Sequence, residues 1–511
     1  MDADGAALAR ALVDAHRAGA LPLTSTCNLR CVFCSRGQNP RRLEVFDIPP
    51  RDLAAVREYL PLLRGAPKVV AGESATRINE GEPFTHPRLF EALTAVRDAY
   101  PDMPLRLTTN GTLLKTAAAA ALRDLAPVEV TLSLNLVTPA LRRELLGDAG
   151  KDAIRAPARL AASGIPFDGS VVALPHLTGW DELGRAVAHL CREGARMVRV
   201  LIPGHTRYAP RWVRAPKRLR AELEMRLDDL RARFPQPLVV EPPELPDLAA
   251  RLEGVMPGGP AAAAGLRRGD VVLAVNGDAV RSRRDAYDRL RRAGGQVRVA
   301  VARPRGDPGP KSAGGAGPAL GPGLATGAGP GAQHMEFFVE KEVGVSAGAV
   351  LYDDLSPATL DRLAALLRRH ARRRLAVLTS SLARGALEAA VRQCLPNEAA
   401  FSGTASTARL MPSGGRAAPA AKTAEPQLAE AVPRAAAVRV IPVPTLLFGG
   451  SIASAGLLTV ADMGIVLARL ASAPRPFAVA IVPSRPFDSK GRDLEGRELN
   501  PPPGMVVEVC R

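Results

Sequence analysis

From Leu21 to Phe234, short runs of apolar and β-branched residues alternate with longer stretches whose apolar positions recur every three or four residues. The first pattern suits strands covered on both faces and the second suits helices with one apolar stripe; their alternation predicts parallel strands joined by helical crossovers. Strands are expected at 21–26, 68–71, 104–109, 128–135, 167–174 and 197–203, and helices at 51–63, 87–99, 116–125, 139–146, 180–192 and 216–233. Six β/α units can curl into a partial barrel, and in parallel α/β architectures chemistry gathers at the carboxyl ends of the strands. This first domain is assigned to residues 1–240.

The pattern then changes. Residues 244–303 read as a small β-rich domain, with turns at Gly265 and Gly269 and an Asn276-Gly277 hairpin signal. Residues 304–333 are rich in Gly, Pro and Ala without apolar periodicity and read as a flexible linker. Residues 334–511 read as a C-terminal α/β domain, with strands at 375–379, 438–443 and 477–482, helices at 357–372 and 381–394, and a disordered insertion at 402–436.

Composition leaves this α/β picture in place. Apolar residues make up 47% and charged residues 23% of the chain, as in ordinary globular proteins. No apolar run approaches the roughly 18 residues of a membrane span, and Asp2 and Asp4 stand where a secretory leader would carry bases, so a cytoplasmic protein without a membrane partner is expected. The net charge of +17 invites a polyanion, but 60 of the 68 basic residues are arginines, scattered through a chain rich in Ala, Gly and Pro. Spread charge of that kind is solvated surface, and nucleic acid is not expected as a partner.

Cysteine usage changes the picture more. Three of six cysteines crowd into the segment LTSTCNLRCVFCSRG as Cys27-x3-Cys31-x2-Cys34, while Cys191, Cys394 and Cys510 stand alone. Thiolates at so tight a spacing can wrap one loop around a single iron–sulfur cluster. With three local thiolates, one corner of a four-iron cubane lacks a protein ligand and is open to a substrate. A structural zinc site would need a fourth ligand, and neither His16 nor His86 forms a recognised spacing with the triad.

The Cys27-x3-Cys31-x2-Cys34 segment after a first strand resembles the hallmark of the radical S-adenosylmethionine (SAM) superfamily. That resemblance implies a partial (β/α)6 barrel and a [4Fe–4S] cluster on Cys27, Cys31 and Cys34. It also implies reductive cleavage of SAM to a 5′-deoxyadenosyl radical, and an electron donor such as flavodoxin or ferredoxin. It puts Phe33 near the adenine. Glu80-Gly81-Glu82-Pro83 resembles the family segment that contacts the SAM amino group, with Glu82 as first choice for that contact and Glu80 or Glu73 in reserve. By itself the same stretch reads as an acidic loop capping the next helix. Thr109 and Asn110 match a further family segment, and Ser133, Asn135 and Arg142 fall where members have groups near the SAM ribose and carboxylate; Asn135 departs from the more frequent acid. His176 and His205, each just past a strand, could face substrate or be ordinary surface residues. No catalytic residue is assigned.

The stretch PAAAAGLRRGDVVLAVNG resembles a bacterial PDZ domain, a fold that captures peptides by strand addition; an obvious Gly-rich carboxylate loop is missing before it. The stretch VRVIPVPTLLFGGSIASAGLLTVADM resembles the C-terminal domain of unknown function in a bacterial family that combines these three modules. In that family the PDZ-like module comes first, whereas in this sequence it lies between the other two. The leading expectation is a radical SAM enzyme acting on an unidentified substrate, with a peptide or protein ligand at the PDZ-like module. The alternatives are a non-catalytic iron–sulfur PDZ adaptor and an RNA-modifying enzyme.

Overall fold

A computed structural model describes residues 3–43, 45–73, 77–304, 332–395 and 438–510. The expected linker and the insertion at 402–436 lie almost wholly outside these residues. The N-terminal half is built on a six-stranded sheet of Val69–Ala71 (β1), Leu105–Thr109 (β2), Val128–Ser133 (β3), Phe167–Val172 (β4), Val198–Leu201 (β5) and Leu238–Glu241 (β6). The strands are parallel and neighbour one another in chain order, with registers such as Leu107 against Val130 and Val200 against Val240. Consecutive neighbours wound in one direction give the curl of a partial barrel. Apolar stripes at helical spacing cover the sheet, for example Leu183, Ala186, Val187 and Leu190, and Leu223, Leu227 and Leu230. Each such leucine contributes roughly 1.5–3 kcal/mol of transfer free energy.

Two sequence expectations shift. Residues 21–26 do not form a regular strand: Ala20 bridges Val70 and the Leu21 amide donates to the Val70 carbonyl at 2.8 Å, after which the segment peels away. Its later groups serve other segments, with Ser25 donating to Ile48 and the Gly81 and Glu82 amides donating to Thr24 and Thr26. The sixth strand is instead Leu238–Glu241, whose brief Leu-Val-Val run between prolines reads in sequence like a linker.

The middle unit is a sheet of Ala250–Arg251 (β7), Val271–Val275 (β9), Asp278–Ala279 (β10), Gly295–Arg303 (β11) and Gln333–Lys341 (β12). Asn276 and Gly277 both have positive φ, 53° and 89°, the conformation a two-residue hairpin turn demands. β12 was expected in the last domain but pairs antiparallel with β11 over nine residues, burying Met335, Phe337 and Val339 in the middle unit. The short strand Gly254–Val255 (β8) pairs with Ala349–Val350 (β13), so the chain's own downstream segment lies along it. The Tyr352 hydroxyl then donates to the Val240 carbonyl at 2.7 Å, tying that segment to β6.

The C-terminal unit has a parallel sheet of Leu375–Thr379 (β14), Val438–Pro442 (β15), Val479–Pro483 (β16) and Val506–Cys510 (β17), in the order β15-β14-β16-β17. Leu360, Leu363, Ala386 and Ala390 pack on one face, and Met463 and Leu467 on the other. This unit docks on the first. The Arg207 amide donates to the Phe448 carbonyl at 2.8 Å, and Arg77 lies 3.6 Å from Asp488. Among the described residues no helix is long and apolar enough to cross a membrane.

Candidate radical SAM site

The three clustered cysteines share one irregular loop beside the sheet. The loop is fixed where the Arg30 and Val32 amides donate to the Leu146 and Leu145 carbonyls at 2.9 and 3.0 Å. Cys31, Val32 and Phe33 pack against Leu29, Leu136, Leu145 and Leu146, so Phe33 is part of a small apolar cluster beneath the loop. Cys27 and Cys34 are exposed and Cys31 is half-buried. Burial first, and then the neighbouring Cys27 and Cys34, push the Cys31 thiol up to about 12, while Arg142 acts in the opposite direction. Three thiols that sense one another beside a guanidinium are a donor set suited to an iron–sulfur cluster. Among the described residues no three Cys, His, Asp or Glu side chains already stand grouped to hold a metal ion.

The second motif lies against this loop. Gly81 sits so close to the Ser25 and Thr26 backbone that a Cβ would run into it, and its amide donates to Thr24 at 2.7 Å. Pro83 opens a single 3-10 turn, Pro83–Thr85, and packs over Gly72 beyond β1. Glu82 is buried, and its carboxylate accepts from the Thr109 hydroxyl at 2.6 Å, the Asn110 amide at 2.7 Å and the Phe84 amide at 3.3 Å. Desolvation holds its carboxyl above the usual range against these three donors. Both oxygens are therefore engaged in joining the loop after β1 to the end of β2. The reserve acids sit nearby: Glu73 accepts from the Thr108 hydroxyl at 2.7 Å, and burial raises the Glu80 carboxyl to about 8.

Asn110 completes the connection. Its side-chain amide donates to Asn28 at 3.0 Å, and Asn28 donates in turn to the Thr112 hydroxyl at 2.7 Å. Asn28 follows Cys27 directly, so one continuous chain of hydrogen bonds runs from Glu82 through Thr109 and Asn110 to the cysteine loop.

The residues after β3 are more internal than the resemblance implied. Ser133 ends the strand opposite Ser170. Asn135 adopts a left-handed backbone with φ of 61° and accepts the Val172 amide at 2.9 Å, which stitches β3 to β4. Short polar Asn tolerates this conformation better than most residues. Arg142 is fully buried, donates to the Leu134 and Leu136 carbonyls at 2.7 and 2.9 Å, and pairs with Asp148 at 2.9 Å. Such bonds fix the turn beside Cys31.

His176 lies 3.3 Å from the Val213 carbonyl. The His205 ring nitrogen lies 3.1 Å from the Ser451 hydroxyl in the C-terminal unit. Sequence reasoning missed Gln38, which is buried just after the triad, accepts the Thr206 amide at 3.2 Å through its side chain and accepts the Thr206 hydroxyl at 2.7 Å through its carbonyl. Nothing in the local sequence marks it, because its partner is 168 positions away.

Two units of the chain match known protein families. The radical SAM superfamily pattern matches residues 21–187, and the PDZ domain pattern matches residues 251–303. A GTP 3′,8-cyclase of Parasynechococcus marenigrum is 34% identical over 151 residues, covering 27% of this chain and 40% of the cyclase. The FeMo cofactor biosynthesis protein NifB of Chlorobaculum tepidum is 32% identical over 127 residues, covering 24% of this chain and 30% of that protein. The chain thus spans less than half the length of the curated relatives it matches. Among solved structures, Streptococcus suis SuiB bound to precursor peptide SuiA aligns at 18% identity and a TM-score of 0.35, over 43% of this chain and 48% of SuiB. The radical SAM superfamily works with a [4Fe–4S] cluster and SAM. This chain carries a radical SAM domain followed by a PDZ domain.

Proposed function

We propose that the protein is a radical SAM enzyme in which Cys27, Cys31 and Cys34 hold a [4Fe–4S] cluster, and that its substrate is a peptide or protein segment. The observation that carries the first part is the hydrogen-bonded chain from Glu82 through Asn110 to Asn28, which ties the cysteine loop to the ends of β1 and β2. When bound, the cluster with SAM supplies reductive cleavage of a C–S bond and, from it, a radical able to abstract hydrogen. The protein's own task is to position and exclude. Asn28 and Asn110 orient the loop at Cys27, while Arg142 keeps positive charge beside Cys31. Glu82 is the acid proposed to accept from the SAM ammonium, with Glu80 and Glu73 in reserve; Glu80 is bonded to the Gly72 and Leu23 backbone much as Glu82 is bonded to Thr109 and Asn110. Phe33 offers an apolar face to the adenine, and Ser133 and Asn135 border the ribose side.

The adjoining PDZ domain supports a peptide or protein substrate, taken elsewhere than at β8, which the chain's own segment 347–350 already pairs. A reductant of the flavodoxin or ferredoxin class would deliver the electron. All six cysteines are free thiols, which suits a reducing cytoplasmic setting.

The test is anaerobic reconstitution with iron and sulfide, followed by SAM and a chemical reductant. The expected result is a visible thiolate-to-iron absorbance and 5′-deoxyadenosine in the wild type, both abolished by Cys31→Ala. Cluster assembly without SAM cleavage would point to an adaptor with a structural cluster. Absence of both signals would overturn the proposal.

A further inference from the structure

We propose that the C-terminal α/β unit binds a small molecule with an apolar body and an anionic group, in a cavity at the switch point of its sheet. The strand order β15-β14-β16-β17 means that the chain leaves β14 towards one edge and returns past it to form β16. Crossovers that run in opposite directions from adjacent strands leave a crevice beyond their carboxyl ends, where doubly wound sheets take their ligands. A cavity of about 400 Å³ lies at this point, lined by residues just after β14 and just after β16. That volume falls within the usual range for small-molecule sites.

The lining states the chemistry. Val377, Ile481, Ala386, Leu387, Leu355 and Leu363 line it, so the body of a ligand would be apolar. Polar groups cluster at the strand ends: Thr379, the last residue of β14, with Ser380 after it, and Ser484 and Arg485 after β16. The helix Arg384–Cys394 starts from Ala383, whose own amide donates to the Ser380 hydroxyl at 3.4 Å while Ala383 offers no side chain to cap the first turn, and helix N-termini favour anions. Arg485 is exposed and has no carboxylate within ion-pair distance among the described residues.

Two carboxylates also border the cavity, and both are engaged. Asp354 accepts the Arg283 and Arg284 amides at 3.1 and 3.0 Å and lies 3.3 Å from the Arg283 guanidinium. Asp353 lies 3.5 Å from Arg284. Pro242 and Pro243, just beyond β6, and Ser454 and Gly456 close the remaining sides. The site is thus built where three units of the chain meet.

The experiment uses the full chain and needs neither cluster nor SAM, so it can fail independently of the proposed enzyme activity. The probe is 1-anilinonaphthalene-8-sulfonate, an apolar fluorophore with one anionic group, displaced by octanoate, octyl phosphate or octanol. The anionic competitors are expected to act at concentrations at least about tenfold below octanol, the value of one charge-assisted contact. Whichever of octanoate and octyl phosphate is stronger identifies the head group. Arg485→Ala, at an exposed position, is expected to reduce that advantage to under about threefold. Ala383→Trp, which fills the mouth, is expected to weaken all three. Equal displacement by octanol, an unchanged profile in Arg485→Ala, or full probe binding in Ala383→Trp would overturn the proposal.

Discussion

Gly450 and His205 meet so closely that a Cβ on Gly450 would collide with the His205 carbonyl, and Gly450 holds a positive φ of 64°. The Ser451 amide donates to that same carbonyl at 2.9 Å, and its hydroxyl accepts the His205 amide at 3.0 Å. Since Thr206 bonds to Gln38, this contact couples the C-terminal unit to the segment following Cys34. Gly450→Ala is expected to destabilise the docked state by about 1–3 kcal/mol, through both strain and collision. Limited proteolysis should show new cleavage in 446–452 while the β14–β17 sheet stays intact. An unchanged digestion pattern would remove the contact from any account of domain coupling.

Asn28→Ala removes the bond to Asn110 next to Cys27 without touching a thiol. A hydrogen bond of this kind is worth about 1 kcal/mol net, so iron retention after reconstitution should fall about fivefold under chelator challenge, with little change in thermal unfolding. Equal retention by wild type and variant would show that the loop is fixed by Leu145 and Leu146 alone.

Glu82→Ala leaves the Thr109 hydroxyl and the Asn110 amide without their acceptor inside the protein. The expected loss is about 2–4 kcal/mol of stability, read by urea unfolding. The loss should appear without SAM, which separates an architectural contribution from ligand contact.

His16 is buried against Arg51 and Tyr59, its Nδ1 lying 2.6 Å from the Leu12 carbonyl. Desolvation lowers its pKa to about 4 from 6.5, against the raising effect of the Leu12 carbonyl. The folded pKa is depressed, so the unfolded chain binds the proton more readily. This stability is fully present above about pH 6.5 and is lost as pH falls towards 4, on the order of 3 kcal/mol. Denaturant midpoints of wild type and His16→Phe should therefore converge with each other less at pH 7 than at pH 5, where the wild type alone weakens through this residue.

The segment 347–350 occupies β8, with the Glu253 and Met256 amides donating to Val350 and Gly348 at 2.9 and 2.7 Å. Peptides offered to the full chain should leave hydrogen exchange at Glu253 and Met256 unchanged, because strand addition there would first have to displace the chain itself. Accelerated exchange at both amides on peptide addition would show that the segment is exchangeable.

Local chemistry made much of this protein legible in advance. Cys27, Cys31 and Cys34 lie within eight positions, so their spacing alone joins them. Five of the six strands in the first sheet are continuous β-type runs bounded by helical periodicity, and Asn276-Gly277 names its own turn. What the sequence could not decide were relations between segments far apart. The alternation in Met335, Phe337 and Val339 marks a strand, but only pairing with β11 shows which sheet it completes. Glu82, Asn135 and Arg142 are residue types that suit ligand contact and internal bonding equally, and burial among Thr109, Val172 and Asp148 gives each an internal role. The cavity beside Arg485 arises from strand order, which no local pattern encodes. Spacing fixes what neighbours in the chain can do together; tertiary packing decides which distant polar groups are left to satisfy one another and which face an open site.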